Sequence, residues 1–147
     1  MQTKYKLPPD VKTACISYVR GYERRVGEYE EKRDEIIGAS RGISYDIGRV
    51  GGGGKTDVIF NKTLKLQELE TYFGTKIIRA VEQAKNQIGS DIQSGEQRKK
   101  LTDAIWDCCL YGRNFVYIYY NLKMDKATFY RRRNRFLYNI AQYLNEI

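Results

Sequence analysis

The residues with the most readable chemistry form one run near the C-terminus, KATFYRRRNRFLYN, from Lys126 to Asn139. On a helix advancing ~100° per residue, Ala127, Thr128, Arg131, Asn134, Arg135 and Tyr138 fall on one side. Phe129, Phe136, Leu137, Ile140 and Leu144 fall on the other and must pack inward. The outer set suits a DNA major groove. An arginine fork matches guanine, asparagine matches adenine, and threonine or alanine can meet a thymine methyl. Ala127 and Thr128 are small and sit at the helix N-terminus, where the backbone must approach base edges. Arg132 lies on a flank and suits a phosphate; Arg133 lies on the inner edge and suits a structural or backbone-binding role.

Asp125 is a natural N-cap for a helix starting at Lys126 and running to about Asn145, because its carboxylate can accept from the amides of Ala127 or Thr128. Before it, NFVYIYYNL reads as a short aromatic helix ending near Leu122, followed by a tight break at Lys123-Met124-Asp125. Short helix, tight turn and basic helix give the outline of a helix-turn-helix over about 114–145. The turn lacks the glycine common in such motifs. Residues 113–147 hold seven basic and two acidic residues, a net +5 of the chain's +8, so the excess charge is concentrated on this segment. The competing reading is an ordinary amphipathic basic helix that binds RNA or an acidic protein face.

A second stretch with apparent chemistry is GRVGGGGKTD, from Gly48 to Asp57. A phosphate-binding loop needs glycine, four residues, then Gly-Lys-Ser/Thr. Counting back from Gly54-Lys55-Thr56 places Arg49 where the first glycine belongs, with Gly48 one position too early. Neither a clear strand before it nor an immediate helix after it is expected, since Asp57–Phe60 reads as extended. The stretch therefore reads as a hinge. The chain has no histidine and no Cys-x-x-Cys pair. Its three cysteines, Cys15, Cys108 and Cys109, are odd in number with two adjacent, which argues against a disulfide framework. These absences argue against a structural zinc site and against catalysis by imidazole, and no metal, cofactor or enzymatic activity is expected. No apolar run nears the ~20 residues of a membrane span, and the N-terminus has no signal-peptide core. A cytoplasmic protein is expected, and a sequence pI near 9.4 favours a polyanionic partner.

The elements that must position the basic run are all helical. The first starts at Pro9, where a missing N–H is harmless, and is expected to reach about Ile37 and stop at Gly38. Its stripe of Val11, Cys15, Tyr18, Tyr22, Val26, Tyr29 and Ile36 packs either on the rest of the chain or on a second copy, with Cys15–Tyr29 the candidate homodimer surface. Glycine-rich residues 39–62 read as a linker. A helix from about Leu64 to Gly89 follows, with Gly74 permitting a bend, then one from about Gly95 to Tyr111 closed by Gly112. The predicted organisation is an all-α chain: an N-terminal helical arm over 1–38, a linker over 39–62, and a helical domain over 63–147 ending in the helix-turn-helix.

The segment MDKATFYRRRNRFLYNIAQYL, residues 124–144, resembles the C-terminal helix-turn-helix of phage and prophage late-gene transcription regulators of the ArpU and RinA type. Their recognition helix likewise opens with Ser/Asp-Lys/Arg-x-Thr-Phe-Tyr-Arg-Arg-Arg, a motif similar in turn to the promoter-reading motif of sigma factors. The opening YKLPPDVKTACISYVRGYERRVGEYEEKRDEII more loosely resembles the first helix of small phage proteins with this organisation. The middle of the chain carries no family motif. The resemblance implies a regulator of phage transcription that binds double-stranded DNA in the bacterial host and assists the host RNA polymerase, with activation the expected sense. Lys126, Thr128, Tyr130, Arg131, Arg132 and Arg135 match the DNA-contacting part of the motif. The alternatives are a small-terminase-like packaging protein, which also pairs a helix-turn-helix with an oligomerising arm, and a non-enzymatic interaction module.

Overall fold

The computed structural model describes residues 6–47, 52–112, 122 and 124–147, with side chains described outside 39–58. Six helices are present among the described residues: α1 Pro9–Arg20, α2 Tyr22–Ile47, α3 Gly52–Thr71, α4 Phe73–Gln87, α5 Gly95–Tyr111 and α6 Lys126–Tyr143. The fold is all-α, and no strand occurs among the described residues. No helix among them is long and apolar enough to cross a membrane.

Several boundaries follow from local chemistry. Pro9 stands in the first turn of α1 and Asp10 places a carboxylate at its positive end. Ser94 caps α5 by accepting from the Gln97 amide. Gly112 ends α5 in the left-handed region, φ 64°, and returns its N–H to the Cys108 carbonyl at 2.8 Å. One break was not foreseen. The first helix divides at Gly21, whose N–H bonds the Ser17 carbonyl at 2.9 Å.

Other boundaries correct the sequence reading. Gly38 does not stop the helix, for α2 continues to Ile47. Gly52–Gly54 and Asp57–Phe60 belong to α3, so neither a linker nor an extended piece occupies them. Glycine disfavours a helix by ~1 kcal/mol but does not block it, and no proline follows Pro9 to force an end. The remaining glycine of the run, Gly51, lies outside the described residues, as do 48–50. The helix expected over 64–89 is interrupted at Tyr72. There the Thr75 hydroxyl donates to the Leu69 carbonyl at 2.7 Å, and that of Thr71 to the Glu68 carbonyl at 2.7 Å. Hydroxyls inserted into a backbone ladder in this way bend or break helices.

The chain forms two compact units, Met1–Tyr22 with Arg79–Ile147, and Glu23–Ile78. In the second, Leu69, Thr75, Ile77 and Ile78 are buried, and the Tyr29 hydroxyl donates to Glu70 at 2.6 Å. The first holds the larger core. There α1 packs on α5 and α6, and α5 on α6. Val11, Cys15 and Val19 enter this core beside Leu101, Ile105, Cys108 and Cys109 of α5. Cys15, the start of the stripe offered for a homodimer, is therefore consumed within the chain.

Candidate nucleic-acid interface

Phe129, Phe136, Leu137, Ile140 and Ala141 of α6 are buried. The sequence assigned four of these inward; Ala141 joins them, and Leu144, also expected there, is half-buried at the C-cap. Trp106 of α5 organises this side. Its ring lies 6.4 Å from Phe136 and meets Tyr22 edge-on at 5.4 Å, while the Lys85 ammonium sits 4.2 Å over it. Because one side of α6 is sealed by aromatic packing, its opposite side is fixed in direction.

That opposite side carries the expected residues in graded exposure. Lys126, Ala127, Arg131 and Arg135 are exposed; Thr128, Asn134 and Tyr138 are partly covered. Asp125 holds the extended backbone of an N-cap, φ −78° and ψ 165°, yet no side-chain bond to the helix amides forms. Its carboxylate instead takes the Thr128 hydroxyl, which holds the acid below its usual range. The Thr128 oxygen in turn accepts from Arg131 Nη2 at 3.2 Å, and Arg131 Nε reaches the Ala127 carbonyl at 3.4 Å. Cap, hydroxyl and guanidinium thus form a chain along the first turn that orders Arg131.

Tyr130 and Arg133 leave the exposed stripe. The Tyr130 ring meets Phe129 edge-on at 5.3 Å, and the Arg133 guanidinium lies 4.9 Å over it. Arg133 also donates to Cys108 Sγ at 3.8 Å and to Asn134 Oδ1 at 3.3 Å. Arg133 thus packs between Tyr130 and Cys108, and Tyr130 packs with it.

Arg132 has a partner the sequence did not disclose. Its Nη1 and Nη2 donate to the two carboxylate oxygens of Asp91 at 2.9 and 2.7 Å. Asp91 sits in the turn between α4 and α5. That turn is tied down by Arg98, which donates to the carbonyls of Ile88 at 3.0 Å and Asn86 at 2.6 Å. Gly89 occupies the left-handed region there, φ 68°, and a Cβ would meet Arg98 Cγ at 2.9 Å, so glycine is required. The hydrogen bonds from Arg132 lower Asp91 from 3.8 to about 2, with a smaller contribution from the nearby Arg135 charge. Asn139 also reaches out of α6, donating to Gln87 Oε1 at 3.3 Å.

The cysteines lie away from this surface. Burial pushes the thiols of Cys15 and Cys109 up to about 12, so both stay protonated near neutral pH. Helix α6 covers the residues expected for the second helix of a helix-turn-helix; residues 114–121, where the first was expected, lie outside the described residues, as does Lys123 of the turn. Comparison with protein-family models, with curated proteins and with solved structures found no match to this chain.

Proposed function

We propose that this chain is a sequence-specific double-stranded DNA-binding protein that reads a major groove with α6 and regulates phage or prophage transcription. The observation that carries DNA binding is the division of α6 into two sides. One side is sealed by Phe129, Phe136, Leu137 and Ile140, and the other exposes Arg131 and Arg135 on a helix without an acidic residue. A major groove about 12 Å wide admits such a helix. Arg131 and Arg135, one turn apart, would address base edges, with Asn134 and Tyr138 beside them and Lys126 near the phosphates. The regulatory part of the proposal rests on the resemblance of residues 124–144 to late-gene regulators.

Selection of bound sites from random and prophage DNA, followed by footprinting, tests both parts. The expected result is an enriched site next to a phage promoter, bound with an affinity that falls steeply as salt rises. Binding with no preference over random duplex would overturn the sequence-specific reading.

A further inference from the structure

The Asp91–Arg132 pair gives the proposed interface a property beyond DNA contact, and this inference rests on the DNA-binding reading. A carboxylate and a phosphodiester both offer two oxygens to the planar fork of a guanidinium. Arg132 follows directly after Arg131, and on an exposed basic helix its fork would be free to hold a backbone phosphate. Here both terminal nitrogens are already occupied by Asp91, at 2.9 and 2.7 Å. The acid is exposed but carried on a restrained turn. That turn is held by two bonds from Arg98, to the Asn86 carbonyl in the last turn of α4 and to the Ile88 carbonyl just beyond it, and by the left-handed Gly89.

We infer that Asp91 acts as an internal phosphate surrogate: it keeps the Arg132 fork off the DNA backbone and so limits the sequence-independent grip of α6 by one phosphate contact. A protein that must leave random DNA to find its site gains from a weaker sequence-independent attraction. Arg131 stands outside this device, bonded instead to the Thr128 hydroxyl and the Ala127 carbonyl.

The test is binding of the full chain to a random-sequence duplex, read by fluorescence anisotropy between 50 and 200 mM salt. Wild type is compared with Asp91→Asn, Asp91→Ser, Arg132→Ala and the Asp91→Asn/Arg132→Ala pair, each checked for folding by its thermal melt. Freeing the fork should make both Asp91 variants bind more tightly, with a salt slope steeper by about 0.9. Their advantage over wild type should then shrink about 3.5-fold across that salt range. Arg132→Ala should resemble wild type, and the double variant should resemble Arg132→Ala. A gain that persists in the double variant would mean general charge removal and would overturn the inference. So would a shallower slope in Arg132→Ala alone, because Arg132 would then already hold a phosphate. Wild-type binding that Arg131→Ala weakens but the Asp91 variants leave unchanged overturns this inference alone; no duplex binding by wild type overturns the DNA-binding reading as well.

Discussion

Helices α2 and α6 are both rich in charge, but they handle it in opposite ways. The described side chains of α2 mix signs closely, and Arg24 pairs with Glu28 one turn on at 2.9 Å. Helix α6 holds five basic residues and no acidic one. Its carboxylate partners come from elsewhere, Asp125 at the cap and Asp91 from the α4–α5 turn. Alternating charges cancel within a turn and leave little field at the distance of a ligand, whereas a one-sign stripe sums to a field that attracts a polyanion. Charge content alone therefore does not distinguish the two helices; the sign pattern along one side does.

The largest expected effect breaks the packed half of that comparison. Phe136 is 1% exposed, and Phe136→Ala should lower stability by about 3–5 kcal/mol in urea unfolding. A loss below about 1 kcal/mol would mean that the aromatic side of α6 does not anchor the helix. Next comes the exposed half. Arg131→Ala should weaken binding to a selected site by about 1–3 kcal/mol. Arg24→Ala in α2 should leave DNA binding unchanged and cost about 0.3–0.5 kcal/mol of stability. Equal effects of the two on DNA affinity would abolish the contrast.

A smaller effect is expected at the turn that supplies the acid. Gly89→Ala should cost about 1–2 kcal/mol from the left-handed backbone alone, with a further loss from the Cβ at 2.9 Å from Arg98. An unchanged unfolding midpoint would show that the turn relaxes freely.

The smallest concerns pH. Asp91 titrates lower in the folded chain than its ordinary 3.8, at about 2, so its contribution is present above 3.8 and lost as pH falls through about 2. With the Asp91 side chain 56% exposed, screening limits the contribution to about 1 kcal/mol or less. The stability gap between wild type and Asp91→Asn should be steady from neutral pH to about 4 and close by about 2. A gap that widened toward acid would contradict the pairing.

Much of α6 was legible from spacing alone. Phe129, Phe136, Leu137 and Ile140 recur at helical intervals, and periodicity specifies a side without reference to the rest of the chain. The left-handed stop at Gly112 was equally local. The glycine-rich segment was misread because glycine lowers helix propensity without forbidding helix, and neighbouring residues carried α2 past Gly38 and α3 back to Gly52. The break at Tyr72 depends on which carbonyls the hydroxyls of Thr71 and Thr75 reach, and composition does not specify that.

By itself the sequence determined that the chain is helical, that its positive charge gathers near the C-terminus, and that the last helix has an aromatic side and a basic side. These follow from residue types and a fixed helical repeat, which act over a few positions. Only the tertiary structure decided that α1 packs against α5 and α6, and that adjacent Arg131 and Arg132 have different fates. Arg131 is ordered by the Asp125–Thr128 cap beside it in sequence. Arg132 is held by an acid 41 positions away, and such a pairing exists only once α4, α5 and α6 have packed.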